Sequence, residues 1–238
     1  PALSKAKDKA QNAVDMNNVK QIMLAMSIYT VDNQDYMPHP SWGGVSGGSG
    51  NGPDNWCYAT YIEGIGWMPS AAVTGNQDWR PAYSNQVVFF KRGQLGPILD
   101  TPDVLFCPRD KSESQSNKKK YWMPRQVKLT SYTWNGAVIS YNDGTAGPPS
   151  GKTHRISMFQ PTDILMWEAD ELDDFWFNDA GNRPTEGISQ RHGGGNAKTV
   201  TQDAGGGASV GTFGASTTYL RYKRYYDMAG VGGLTPLA

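Results

Sequence analysis

The chain has 238 residues, with Lys+Arg 22 matched by Asp+Glu 22, a hydrophobic content of 38% and a mean hydropathy of −0.57. That length supports one sizeable core in one large domain. The charge balance argues against nucleic acid as the main partner, because phosphate binding needs a basic surplus. No run of about 18 apolar residues is present, so the sequence itself offers no membrane-spanning helix.

The first element is a long amphipathic helix over residues 1–36. Leu3, Ala6, Ala10 and Ala13 recur at helical spacing, and Val19, Ile22, Met23, Met26 and Tyr29 continue the pattern. No Gly or Pro interrupts from residue 2 to residue 36, and Asp32, Asn33, Gln34 and Asp35 form a polar exit before Pro38. Its abrupt start at Pro1 reads as the lower half of a longer helix.

Residues 38–56 read as a Gly/Ser/Pro loop. Tyr58, Tyr61, Ile62 and Ile65 suggest a short helix within 57–68, which Gly64 and Gly66 weaken. Residues 69–85 read as irregular, and 86–90 are ambiguous in type. Residues 111–120 read as a solvated charged loop. Residues 129–139 are the best strand candidate, rich in β-branched and aromatic side chains. Residues 164–167 read as a buried central strand. Two more strands are expected at 197–203 and 217–226, around a Gly-rich turn at 205–214. Arg221, Lys223 and Arg224 suit the second of these to a sheet edge. The expected fold is α+β: a long N-terminal helix (1–36) packed on an antiparallel sheet, within a head (37–238) that carries irregular Gly-rich loops.

Several motifs resemble a known family. The stretch PALSKAKDKAQ and the segment Asn17-Asn18-Val19-Lys20-Gln21 resemble the helix of type IV pilin-like proteins, specifically type II secretion pseudopilins with a prepilin-type cleavage and methylation leader. Leu105-Phe106-Cys107-Pro108-Arg109-Asp110 is similar to that family's Cys-Pro-Ser-Asp turn. Residues 161–171 are similar to its strand ending in an acidic pair, here Asp170-Glu171. Arg191-His192-Gly193-Gly194-Gly195-Asn196, followed by Asp203, resembles its Arg-His-Gly-Gly...Asp-Gly motif, with Ala204 inserted before Gly205. The matches keep their order over residues 1 to about 205.

The resemblance implies an apolar membrane half-helix ahead of Pro1, with the rest of the chain in the periplasm or at the cell surface. It also implies a non-enzymatic subunit that assembles with other pilin or pseudopilin subunits into a filament. Small residues on the Leu3, Ala6, Ala10 and Ala13 face would let helices approach closely. The family's use of calcium in C-terminal loops draws attention to Asp170, Glu171, Asp173, Asp174 and Asp179 as oxygen ligands for Ca²⁺. A solvated acidic loop with structural ion pairs is the alternative. Arg191 and His192 are expected to reach back to Asp203 or to the Asp170-Glu171 pair and fix their turn.

Cys57 and Cys107 are too far apart for a CxxC zinc site. In an exported protein they form either one disulfide or two separate buried thiols. Gly44-Val45-Ser46-Gly47-Gly48 and Gly207-Ala208-Ser209-Val210-Gly211 match G-x-S-x-G, and His192 precedes three glycines. A hydrolase nonetheless needs a strand before the serine and a histidine after it, and neither serine has both. Trp42, Trp56, Trp67 and Trp79 sit in loop-like sequence. They define a rival reading, a membrane-tethered module that binds glycans or proteins through aromatic loops.

Overall fold

A computed structural model describes residues 2–41, 53–113, 116, 118–141, 152–193 and 205–229. Helix α1 spans Ala2–Asp32. Its buried face runs through Asp15, Asn18, Val19, Ile22, Met23, Ala25, Met26 and Thr30, the three-and-four spacing of one helical stripe. The polar exit ends it as expected. Gln34 and Asp35 take positive φ angles of 58° and 66°, and the Asp35 N–H reaches back to the Thr30 carbonyl at 2.8 Å.

Two short strands follow, β1 (Tyr61–Ile62) and β2 (Gly66–Trp67), paired antiparallel. They replace the helix expected within 57–68. Gly64 (φ 80°) and Gly66 (φ 108°) supply left-handed backbone that turns the chain there. Helix α2 (Arg80–Phe90) takes up the ambiguous run 86–90 and part of the stretch read as irregular. Its start carries Pro81, whose missing N–H costs nothing in the first turn. Short helices α3 (Gly96–Leu99), α4 (Pro108–Glu113) and α5 (Lys119–Trp122) come next, the last two in place of a simple charged loop.

The remaining elements are β3 (Tyr132–Asn135), β4 (Ile164–Glu168), β5 (Gly181–Asn182), β6 (Gly207–Thr212), β7 (Thr217–Arg221) and helix α6 (Tyr222–Ala229). The five strands form one sheet in the order β5-β3-β4-β6-β7. Pairing is antiparallel except for β3 with β5, which run parallel, so the sheet is mixed rather than wholly antiparallel. The expected strand at 164–167 is the central strand β4. The strand expected at 217–226 is edge strand β7 followed by α6. The expected strand at 197–203 lies outside the described residues.

The Gly-rich stretch expected as a turn holds strand β6, and close packing explains its glycines. A Cβ on Gly211 would sit 2.5 Å from Met23 Sδ of α1, and one on Gly207 would sit 2.2 Å from the Leu220 carbonyl oxygen. Ser209 and Gly211 therefore face α1. Ala208 and Val210 alternate to the other side, where they pack with Trp167, Tyr222, Tyr225 and Tyr226. The larger cluster, between α1 and the sheet, includes Val19, Ile22, Met23, Met26, Trp56, Trp134, Leu165 and Met166. The chain is thus an α+β fold with its sheet covered on both faces.

One buried titratable group joins the end of α1 to this core. His39 is 5% exposed, and its Nδ1 accepts the Ser41 N–H at 3.1 Å. Burial lowers its pKa from 6.5 to about 4. The unfolded chain binds this proton first, so the contribution is fully present above pH 6.5 and declines as pH falls toward about 4. A shift of that size corresponds to about 3 kcal/mol. Asn at this position keeps an acceptor and does not titrate. His39→Asn is therefore expected to lose less stability between pH 7.5 and pH 4.5 than the wild type, in denaturant unfolding at the two pH values.

Candidate functional site

The most concentrated chemistry is a buried charged network between α1, α4, the ends of β3 and β4, and the segment 188–193. The isolated bridges Ala169↔Ile188 and His192↔Gly207 lay that last segment along the sheet. It carries Arg191 inward, where the guanidinium meets Glu168 Oε2 at 2.9 Å, Asp110 Oδ1 at 3.1 Å and Glu171 Oε2 at 3.8 Å. Asp110 Oδ2 accepts from Arg125 at 2.8 Å and from Ser131 Oγ at 2.7 Å. Glu171 accepts from Lys118 at 3.0 Å and from Ser189 Oγ at 2.7 Å. The aliphatic and aromatic cover includes Phe177, whose ring lies 3.6 Å from the Arg125 guanidinium carbon.

His192 stands beside this network. Its Nε2 lies 3.2 Å from Glu168 Oε1, 3.5 Å from Asp15 Oδ2 and 3.2 Å from Cys107 Sγ. Tyr132 donates to Asp15 Oδ1 at 2.6 Å, and the Ser209 N–H donates to Glu168 Oε1 at 3.0 Å. Although burial opposes charge on Glu168, the neighbouring His192 and Arg191 hold its carboxyl well below the usual carboxylate range. Burial, reinforced by the Glu168 charge, pushes Asp15 up to about 7. Burial and the same acidic neighbours raise the Cys107 thiol. Glu168 and Asp15 raise the His192 pKa against its burial, and the network's carboxylates raise that of Arg191 against its own.

Arg191 and His192 do reach acidic side chains, with partners partly different from those expected. Arg191 does meet Glu171, but its shortest contacts are Glu168 and Asp110, and Asp203 lies outside the described residues. Among the described residues, the side chains expected as calcium ligands do not converge on one point. Asp170 caps the Leu172 N–H, Asp173 the Phe175 N–H and Asp179 the Gly181 N–H, each a local turn. Glu171 points inward to Lys118 and Ser189, while Asp174 starts a 3-10 turn. Among the described residues, the four side chains that converge as metal ligands are instead Asp15, Cys107, Glu168 and His192.

Of the two readings for the cysteines, the disulfide does not form: Cys57 and Cys107 are free and buried. Cys107 sits against His192, whereas Cys57 packs in the main core beside Trp56 and Tyr58. Ser46 and Trp42 lie outside the described residues. Ser209 is fully buried in mid-strand β6, which is no nucleophile elbow. Trp56 is core: it stacks on Trp134 with ring centroids 5.1 Å apart, and its Nε1 donates to the Ala180 carbonyl at 2.8 Å. Trp79 packs edge-on against Trp122 and Tyr83, while Trp67 is half exposed beside Tyr61.

Sequence reasoning passed over Asp15 and Arg125, and met Asp110 only as the end of the Cys-Pro turn. Asp15 left a signal, a carboxylate in phase with the apolar stripe Val19, Ile22 and Met26. Leu3, Ala6, Ala10 and Ala13 do not run on into the buried stripe of Val19, Ile22, Met23 and Met26 as expected: they lie on the opposite side of α1 and are all exposed. Val14, Leu24, Ile28 and Val31 continue that uncovered stripe, each half exposed or more.

Fold and site together define an α+β protein whose N-terminal helix is tied to a sheet by a buried charged network. Comparison with protein-family models, with curated proteins and with solved structures found no match. Among the described residues, no helix is long and apolar enough to cross a membrane.

Proposed function

We propose that this chain is a non-enzymatic structural subunit of a pilin-like filament, a type II secretion pseudopilus or a type IV pilus-like assembly. The observation that carries the reading is the outer face of α1. Leu3, Ala6, Ala10, Ala13, Val14, Leu24, Ile28 and Val31 follow helical spacing along the side away from the sheet, and all are exposed. A lone domain gains nothing from that stripe, whereas a neighbouring helix would bury it. The alanines near its start let a second backbone come close. The charged network fits the same role, since it anchors α1 at Asp15 and leaves the outer face free. Partners would be other subunits of the filament, and the chain would act in the periplasm or at the cell surface after release from the inner membrane.

The test is the gene upstream of Pro1. The reading expects a short basic leader, a prepilin-type cleavage site and about 20 apolar residues running into α1. An ordinary cleavable signal peptide or a cytosolic start overturns it. In that event the binding-module reading takes its place, on the half-exposed Tyr61 and Trp67 of the β1–β2 hairpin.

A further inference from the structure

The four side chains around His192 make a donor set that no part of the filament reading uses. Asp15 Oδ2, Cys107 Sγ, Glu168 Oε1 and His192 Nε2 lie within 4.8 Å of one another, and all four residues are buried. They come from α1, the turn entering α4, the end of β4 and the segment after Ile188, so folding alone brings them together. The imidazole Nε2 meets a thiol and two carboxylate oxygens at once, at 3.2, 3.2 and 3.5 Å, yet it carries at most one proton. Asp15 is fully buried, and its Oδ2 points into this group without a well-formed hydrogen bond, with the Ser209 hydroxyl and His192 Nε2 as polar neighbours. A buried carboxylate oxygen left in that state is costly unless something positive joins it.

Zinc holds sulfur at about 2.3 Å and nitrogen or carboxylate oxygen at about 2.0–2.2 Å, so tetrahedral ligand atoms stand roughly 3.3–3.8 Å apart. The contacts to Nε2 are already near that spacing. Outer groups hold the two carboxylates, while His192 Nδ1 has no hydrogen-bond partner. Tyr132 holds Asp15 Oδ1, Arg191 holds Glu168 Oε2, and the Ser209 N–H braces Glu168 Oε1. Charge is consistent as well. With Cys107 as thiolate, a divalent ion balances Asp15, Asp110, Glu168 and Glu171 against Lys118, Arg125 and Arg191.

We propose that Asp15, Cys107, Glu168 and His192 form a structural binding site for a divalent transition-metal ion, zinc by its match to a mixed sulfur, nitrogen and oxygen set. Four protein ligands close the site, so its role is to clamp α1 to the sheet. Binding releases the Cys107 thiol proton and any proton on His192 Nε2 or on the Asp15 carboxyl to solvent, with no change of oxidation state. The site stands whether or not the chain forms filaments.

Cobalt(II) reports on such a site because thiolate ligation gives a near-ultraviolet charge-transfer band and tetrahedral geometry gives intense visible bands. The purified chain, stripped of metal and titrated with Co²⁺, is expected to bind one ion per chain with both signatures. Zn²⁺ is expected to displace it and erase both. Cys57→Ser should keep the spectrum, and Cys107→Ser should lose the charge-transfer band. No thiolate band in the folded wild type overturns the proposal, even where Cys107→Ser fails to fold. A band that persists in Cys107→Ser, or vanishes in a folded Cys57→Ser, also overturns it. In that case His192 is a protonated bridge between carboxylates.

Discussion

Replacing Arg191 with Met is expected to lower stability by about 3–5 kcal/mol, the usual cost of removing one partner from a buried ion pair. The side chain of Arg191 is wholly buried, as are those of Glu168 and Asp110, its nearest partners. Met fills much of the volume but leaves Glu168 without its guanidinium and leaves Asp110 with Arg125 and the Ser131 hydroxyl. The penalty is therefore one of stranded charge rather than of lost packing. For a chain of this size, each kcal/mol moves the melting temperature by roughly 2–4 °C, so a fall of about 10 °C is expected in thermal unfolding. Arg80→Met is the control. Arg80 pairs with Asp78 at 3.1 Å, but its side chain is 64% exposed, and its loss should lie within about 0.5 kcal/mol of wild type.

Trp56→Ala is expected to cost a similar amount, about 3–5 kcal/mol, for a different reason. Trp56 has no exposed surface, stacks on Trp134 and satisfies its indole N–H on the Ala180 carbonyl. Truncation opens a cavity where the segment after the first loop meets β3, and takes from the Ala180 carbonyl one of its two donors, leaving the Trp134 N–H at 3.0 Å. Denaturant unfolding measures the loss. Trp56→Ala beside Trp67→Ala separates the two functional readings. If the loop tryptophans served a ligand, Trp56→Ala would spare stability and weaken binding. The structure predicts the opposite for Trp56, and a small stability effect for Trp67→Ala on the exposed hairpin.

Sequence periodicity made α1 and β4 legible because each is long or apolar enough to express its own period. The end of α1 was readable too, since Asn33, Gln34 and Asp35 are residues that leave a helix readily. β6 was not. Gly207 and Gly211 read as turn residues, yet they are there because Leu220 and Met23 approach too closely for a Cβ. That reason is tertiary and leaves no local mark. The short β1–β2 hairpin was lost to near-helical spacing of Tyr58, Tyr61, Ile62 and Ile65.

The site was legible in part. Arg191 and His192 stood out beside the glycines, and Glu168 opened the acidic run. The run itself was harder to read, because Asp170, Asp173 and Asp179 each cap a backbone N–H of their own turn. The partners that matter, Asp15 and Asp110, come from distant segments. Spacing along the chain carries no information about such a convergence.

The uncovered stripe of α1 is the central claim, and assembly tests it directly. The product of the full gene, overexpressed in its own cells, can be sheared from the surface and viewed by electron microscopy, wild type beside Ala10→Glu. Ala10 is exposed and lies off the core, so the variant should melt at the wild-type temperature. The account predicts filaments from the wild type and none from Ala10→Glu. Filaments that form equally well in both would contradict it, as would a wild type that stays monomeric at every level of expression.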